Sequence, residues 1–409
     1  MKSSERLHWI LGMALGIAAL LPAAQADSLA RDPVNGATLL FPYFEVDLDD
    51  PNGSTTVLSI RDASATSALG QVTIWSDVGI ALLSFPIYFT GYDVVNIDLR
   101  QVLAEGSLPV TATDGQDPRD TISPQGPLSQ DINFASCSGN LPYSNPVLLP
   151  DTVLFLQNAL TGQPAASGLC NGFDHGDRIA RGYVTVDTVT ACSIEGPGSP
   201  GYFINGGGLA SNQNVLSGEY VLRGSDGSRR HIGNAAALEA SSTNHGTAGN
   251  YTFYGRFVGW TAADQREPLN GTWGLDTQGA GTELIVWRDM KTNVAPFNCA
   301  AQVPSPLPLG QTSVLHFNTA TGDTSGTNLA AVPLATQIVR LGGPDVEGPD
   351  GKPGWSLFDL NTTIAGSNNP PIDPTAAQAF VEVLSSPERA DQGGGGAVAL
   401  PLDTANPQP

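Results

Sequence analysis

Short runs of β-branched and aromatic residues, separated by turn signals, recur along the chain from residue 37 onward. The turn signals, such as Asp50-Pro51-Asn52-Gly53, return about every 8–12 residues, which is typical of a β-sandwich or barrel. Apolar and polar residues alternate only partly within the runs, which predicts a sheet with one buried face and one half-exposed face. The first five predicted strands are Ala37–Val46, Thr55–Arg61, Gln71–Ser76, Leu82–Thr90 and Val94–Leu99.

Strand-like runs resume after residue 150. Asn234–Ala240 and Thr375–Leu384 are the two segments with a helical pattern, and no fixed-period repeat occurs. We therefore predict a mainly β fold of two packed β-sandwich-like domains with long Pro/Gly-rich loops and very little helix. The later predicted strands are Thr152–Gln157, Gly182–Thr190, Glu219–Arg223, Tyr251–Trp260, Glu283–Trp287, Val314–Asn318, Gln337–Leu341 and Ala379–Leu384.

Composition divides the chain into five segments. The predicted organisation is a signal peptide at 1–26, an N-terminal β domain at 27–104, a Pro/Gly-rich excursion or linker at 105–150, a C-terminal β domain at 151–390 and a flexible tail at 391–409.

The N-terminus has the pattern of a cleavable secretory signal. Lys2 and Arg6 precede an apolar stretch, and Ala24-Gln25-Ala26 supplies the small residues that signal peptidase requires, which predicts cleavage before Asp27. The stretch is too short and too rich in Ala and Gly for a spanning helix. We expect a mature chain without an integral membrane segment, secreted to a periplasmic or extracellular location.

The charge balance restricts the partners. The formal net charge is −21 at pH 7, which disfavours nucleic acid as a ligand because like charges repel at long range. Charged residues make up only 14% of the chain, against about 25% in an ordinary globular protein. Uncharged polar residues must therefore cover much of the surface, as in many extracellular β proteins.

An even number of cysteines in an exported chain predicts two disulfides. Three pairings are possible, and we favour Cys137–Cys170 and Cys192–Cys299, because the first would close a loop-rich excursion and the second would join two strand-rich parts. A zinc site is disfavoured because no C-x-x-C pair is present.

Candidate polar chemistry is sparse. The nucleophile elbow G-x-S-x-G, the zinc motif H-E-x-x-H and the phosphate-binding P-loop are all absent. The most suggestive histidine is His175, which Asp174 and Asp177 flank; it is either a base or ligand held by carboxylates, or part of a solvated turn.

Two acidic turns are candidates for calcium, a hard cation that prefers carboxylate and carbonyl oxygens. The first contains Asp47 and Asp49, and the second spans residues 345–351. Neither fits the calcium loop of an EF-hand, because Pro51 and Pro349 occupy a ligand position. Calcium is accordingly a possible cofactor, with ordinary β-turns as the alternative.

Exposed aromatic rings would allow a glycan to bind. The densest cluster is Tyr251–Trp260, followed by Trp273 and Trp287, although large aromatics are more often core residues. For glycoside hydrolysis the first carboxylates to inspect are Glu219, Glu239 and Glu283.

We therefore expect a secreted, non-enzymatic β-rich protein with a binding or structural role at the cell envelope or outside the cell, its partner being a glycan or a cell-surface protein. The alternative is a secreted carbohydrate-active hydrolase that uses a carboxylate pair.

Overall fold

The computed structural model describes most of the chain between residues 34 and 401. The described residues are 34–111, 137, 139–203, 208–225, 229–240, 266–267, 269, 271–277, 283–289, 294–301, 313–318, 321–322, 324–327, 334–340, 354–360, 378–384 and 399–401. The predicted signal peptide, the 345–351 turn, the aromatic run 251–260 and most of the predicted 391–409 tail lie outside them, whereas residues 399–401 of that tail are described and form a strand.

Antiparallel strands make up about half of the described chain and helices less than a tenth, so the prediction of a mainly β, sandwich-like fold with little helix is confirmed. The strands are β1 (Thr38–Asp47), β2 (Thr55–Asp62), β3 (Ala68–Ser76), β4 (Ala81–Phe89), β5 (Val94–Asp98), β6 (Leu169–Cys170), β7 (Ile179–Val189), β8 (Leu216–Arg223), β9 (Arg229–Asn234), β10 (Ala236–Leu238), β11 (Thr272–Thr277), β12 (Glu283–Arg288), β13 (Phe297–Asn298), β14 (Ser313–Asn318), β15 (Thr324–Thr327), β16 (Thr336–Arg340), β17 (Gly354–Asp359), β18 (Ala379–Leu384) and β19 (Ala399–Pro401).

Two α-helices occur among the described residues, α1 (Leu99–Leu103) and α2 (Pro150–Leu160). The sequence pattern predicted a strand over Thr152–Gln157, and this was wrong. Pro150 starts the helix at a position where its missing N–H costs nothing, and Leu156 and Leu160 lie one turn apart on the buried face. Neither described helix is long and apolar enough to cross a bilayer.

The strands of the described ranges form five sheets. The order is β10-β1-β7-β3-β4 in the first, β5-β2-β8-β9 in the second, β15-β14-β17-β11-β19 in the third, β16-β12-β18 in the fourth and β13-β6 in the fifth. Strands from the predicted N-terminal and C-terminal domains pair directly, because β7 lies between β1 and β3, and β8 lies beside β2. Asn234–Ala240 and Thr375–Leu384, expected as possible helices, contain β10 and β18.

The first sheet is buried on both faces. One face packs against the second sheet in a core that includes Phe41, Ile60 and Val184. On the other face Tyr183 stacks on Trp75 at 5.5 Å and meets Trp287 edge-on at 5.9 Å. Every residue of β3 is buried, so the half-exposed face predicted for this strand is absent.

Two disulfides form, as predicted, but the favoured pairing was wrong. Cys137 bonds to Cys192 and Cys170 bonds to Cys299. The short β6–β13 pairing places Cys170 beside Cys299, whereas Cys137 and Cys192 share a small buried cluster with Tyr202. These tertiary contacts depend on strand pairing over long sequence distances, which loop composition does not encode.

A buried carboxyl lies in the first sheet. Tyr202 donates to Asp187 Oδ2 at 3.0 Å, and Thr38 donates to the other oxygen. Burial raises the pKa of Asp187 to about 6, while Arg266 and the two hydroxyl donors act in the opposite direction.

The raised pKa of Asp187 predicts a stability that falls as the pH rises. Between about pH 4 and pH 6 the folded chain binds this proton and the unfolded chain releases it, so the contribution is complete below pH 4 and lost above pH 6. Across this pH window we expect the free energy of unfolding of the native chain to fall by on the order of 2 kcal/mol more than that of Asp187→Asn, which has no proton to release at this position. Urea titrations at pH 4, 5, 6 and 7 measure it, and parallel pH curves for the two proteins would contradict the assignment.

Candidate functional site

A half-open polar cleft of about 550 Å³ lies where β1, β7, β9 and β16 meet the loops that precede β2 and β7. Its lining is rich in charged and hydroxyl groups, with two isoleucines. The lining residues are Tyr43, Glu45, Asp47, Ser54, His175, Ile179, Arg181, Gly224, Ser225, Arg230, Thr336, Gln337 and Ile338.

Strand geometry explains how β1 and β7 supply part of this lining. Glu45 and Asp47 are two residues apart on β1, so their side chains leave the same face of the sheet. The register places Glu45 directly opposite Arg181 and Asp47 opposite Ile179. One pair of adjacent strands therefore presents a carboxylate beside a guanidinium at the cleft.

Glu45 is the most buried carboxylate of the cleft, with 7% of its side chain exposed. Arg230 Nη1 donates to Glu45 Oε1 at 2.7 Å, and the hydroxyl of Tyr43 donates to Oε2 at 3.2 Å. Arg230 Nη2 also lies 3.9 Å from Glu283 Oε2. Burial alone would lower the pKa of Arg230, but Glu45, Tyr43 and Glu283 together outweigh burial and raise it, with Glu45 contributing most of the three.

Tyr43 is held as a neutral phenol. Burial, followed by the adjacent Glu45, raises its pKa, and the positive charges of Arg181 and Arg230 only partly oppose this shift. A protonated phenol keeps its hydrogen for donation. Tyr43 therefore acts as a fixed hydrogen-bond donor at the cleft.

Arg181 and Asp177 form a two-point ion pair. Arg181 Nη1 and Nη2 donate to the two oxygens of Asp177 at 2.8 Å each. This hydrogen bonding lowers the pKa of Asp177. Burial is the largest single influence on Arg181 and lowers its pKa, but the contacts with Asp177 and Tyr43 together outweigh burial and raise it. The planar fork of an arginine fits a carboxylate in this way and fixes its orientation.

His175 pairs with a carboxylate that is distant in sequence. Its Nε2 lies 2.9 Å from Oδ2 of Asp77, which is 1% exposed, while the backbone N–H of Phe173 donates to the other oxygen at 3.0 Å. The His175 ring also packs edge-on against the Phe173 ring at 4.8 Å. Asp77 thereby fixes the orientation of an imidazole that is about one quarter exposed at the cleft.

No family model, curated protein or solved structure matches this chain. The site must therefore be interpreted from its own chemistry.

The three residues of the predicted polar site have different hydrogen-bond partners. His175 lines the cleft and contacts Asp77, Asp177 binds Arg181, and Asp174 accepts a hydrogen bond from the backbone N–H of Gly176 at 2.8 Å. The flanking carboxylates thus have other partners, because adjacent loop residues point in different directions.

The acidic turn of Asp47 and Asp49 surrounds a guanidinium. Asp47 Oδ1 accepts hydrogen bonds from the backbone N–H groups of Asp49 and Asp50, and Asp49 lies 3.5 Å from Arg178. The loop carbonyls turn inward onto Arg100, which donates at 2.6–2.9 Å to the carbonyl oxygens of Asp47, Asp50, Gly53 and Ser54.

The part of the chain that the structure describes contains no group of three or more metal-ligating side chains. Calcium binding at Asp47 and Asp49 stays a prediction.

The carboxylates first considered for hydrolysis contact different groups. Glu219 forms an exposed ion pair with Arg61 at 2.7 Å, and Glu283 approaches Arg230 beside the cleft. For Glu239, the backbone carbonyl accepts from the backbone N–H of Glu267. Trp273 and Trp287, considered as ligand platforms, are buried and belong to the core.

Sequence reasoning missed Tyr43, Glu45, Asp77 and Arg230. Glu45 could have been identified from the sequence, because it is the one charged residue in the run Ala37–Val46. It also lies two residues after Tyr43, and therefore on the same face of a strand. Asp77 carried none, because its partner His175 lies 98 residues away.

Proposed function

We propose that this chain is an exported, non-enzymatic binding protein whose cleft holds a hydroxyl-rich ligand, such as a glycan at the cell envelope or on a cell-surface protein. The observation that carries the proposal is that the charged groups in and beside the cleft are paired with one another. The pairs are Glu45 with Arg230, Asp177 with Arg181, and Asp77 with His175.

Paired groups suit recognition of a neutral polar ligand. A sugar hydroxyl both donates and accepts hydrogen bonds, so it fits where fixed donors lie beside fixed acceptors. The cleft offers both at Arg230 and Glu45, while Ile179 and Ile338 supply apolar contacts for the carbon skeleton. A pocket with a few placed polar groups on a rigid scaffold is the usual design of a small-ligand site.

The arrangement favours binding over hydrolysis. Both oxygens of Glu45 accept hydrogen bonds, Oε1 from Arg230 and Oε2 from Tyr43, which weakens them as nucleophiles towards an anomeric carbon. Each oxygen keeps a lone pair that can accept a hydrogen bond from a sugar hydroxyl. The two disulfides support a location outside the reducing cytoplasm, where such bonds persist.

A second candidate is a carbohydrate-active hydrolase. It is favoured by one observation, that Glu45 and Glu283 approach the same guanidinium of Arg230 at 2.7 and 3.9 Å. Two carboxylates flanking one site are the requirement of glycoside hydrolysis.

Arg230→Gln tests the binding proposal. Removing the guanidinium deletes a charged donor and leaves Glu45 without its cation, so we expect affinity for the bound glycan to fall about tenfold. The measurement is binding of the exported chain to an array of neutral, amino and acidic oligosaccharides, followed by titration calorimetry on the strongest ligand. Arg61→Gln is the matched control, because it removes an arginine from an exposed ion pair outside the cleft lining.

Gln337→Ala, which changes the lining without uncovering a charge, keeps the test valid if Arg230→Gln folds poorly. Equal affinities for the native chain and for the cleft variants would disprove the cleft as the binding site. Release of reducing sugar that is lost in Glu45→Gln would instead establish the hydrolase.

A further inference from the structure

A row of two exposed aromatic side chains and one half-buried carboxylate crosses the third sheet. In the strand register Phe317 of β14 lies opposite Trp355 of β17, and Trp355 lies opposite Asp276 of β11. Directly opposed residues in antiparallel strands point to the same face. Phe317 is 41% exposed and Trp355 is 47% exposed, which is unusual for aromatic rings of this size.

The opposite face of the same strands is core. Trp273, Leu275 and Phe358 are buried there in one cluster, and His316 Nδ1 lies 2.7 Å from the hydroxyl of Ser356. Buried and outward-facing residues alternate along these strands, and packing of the buried side chains holds the backbone beneath the row in place. The two outward rings therefore stand on a packed sheet.

The surface next to this row is uncharged, and it is lowest at Gly274. Leu315 lies opposite Leu357, and Leu357 lies opposite Gly274, which has no side chain. Neighbouring strands are about 4.7–4.9 Å apart. Two aromatic rings and a carboxylate thus follow one another across three strands, at a spacing close to the width of a sugar ring.

We propose that the row of Phe317, Trp355 and Asp276 binds the sugar rings of an uncharged polysaccharide. The C–H faces of a sugar carry partial positive charge and pack on the electron-rich faces of aromatic rings. A carboxylate at the end of the row accepts hydrogen bonds from sugar hydroxyls.

The negative charge of the protein favours an uncharged polysaccharide as the ligand of this row. Asp276 and the net charge of −21 repel acidic polysaccharides and nucleic acids, whereas an uncharged polymer meets no such barrier. The row shares no residue with the cleft lining and lies in another sheet, so the proposal stands independently of the function assigned to the cleft.

The test is sedimentation of the exported chain with insoluble cellulose, chitin and starch, with soluble alginate as an acidic competitor. We expect retention on at least one of the three uncharged polymers, and a loss of about tenfold in affinity for Trp355→Ala, because a central tryptophan carries much of the energy of such a contact. Phe317→Ala weakens binding less. Phe155→Ala is the matched control, since it removes a ring of similar exposure from α2.

Unaltered thermal unfolding of Trp355→Ala confirms that the loss is local, as expected for an exposed side chain. If Trp355→Ala unfolds early, Trp355→Tyr keeps a ring at the same place and should retain binding. Retention on none of the three polymers, equal retention of Trp355→Ala, or displacement by alginate would each overturn the proposal. Trp355→Ala should leave the oligosaccharide affinity of the cleft unchanged, because Trp355 does not line the cleft, and this separates a failure of the row from a failure of the cleft.

Discussion

We expect the exchange of Cys170 and Cys299 together for serine to lower the free energy of unfolding by about 5 kcal/mol. The two cysteines are 129 residues apart, and a bond that closes so long a loop removes much of the conformational freedom of the unfolded chain. The same bond anchors the segment that carries His175 at the cleft, five residues after Cys170. Guanidinium unfolding of the native and double-serine chains measures the effect.

The matched comparison is the exchange of Cys137 and Cys192 for serine. Their disulfide joins residues 55 positions apart, and its loss is expected to lower the free energy of unfolding by about 4 kcal/mol. Peptide mapping without reduction should recover Cys170 linked to Cys299. A fragment that joins Cys137 to Cys170 would contradict the fold around β6 and β13, because Cys170 lies beside Cys299 in that pairing.

Arg100→Met should lower the free energy of unfolding by about 3 kcal/mol. The buried guanidinium donates to the carbonyl oxygens of Asp47, Asp50, Gly53 and Ser54, and methionine leaves these acceptors without their donor. Asp47 also lines the cleft. Because the variant loosens the turn that contains Asp47, it should also weaken ligand binding. Urea denaturation measures the stability.

Two companion variants define the cause. Arg100→Lys keeps the charge but not the planar fork, so it should recover only part of the loss. Arg61→Met removes an exposed ion pair and should cost less than about 1 kcal/mol. Equal effects for Arg100→Met and Arg61→Met would show that the carbonyl contacts do not stabilise the turn.

The Arg100 contacts also explain why an acidic turn resembles a cation site in sequence. Carbonyl oxygens converge there, as in a calcium loop, but the cation comes from α1 of the same chain. Sequence alone identifies the turn and its acidic residues; it does not reveal which positive group approaches from elsewhere in the fold.

The sequence by itself determined the fold class, the positions of the early strands and the oxidised state of the cysteines. These properties follow from local features: β-branched runs bounded by turn residues specify strands, and an even number of cysteines behind a signal-peptide pattern predicts disulfides. β1 and β2 begin within one residue of their predicted starts. Where local pattern was ambiguous, as in the apolar run after Pro150, the prediction was wrong and a helix formed.

Only the tertiary structure decided which strands are neighbours, which cysteines bond and where the cleft lies. Residues 27–104 and 151–390 appear as separate β segments in the sequence, yet β7 lies between β1 and β3. His175 pairs with Asp77, which lies 98 positions away in the sequence, and Arg230 pairs with Glu45, which lies 185 positions away. Such contacts depend on long-range strand register, which is set by burial of whole faces rather than by any local pattern.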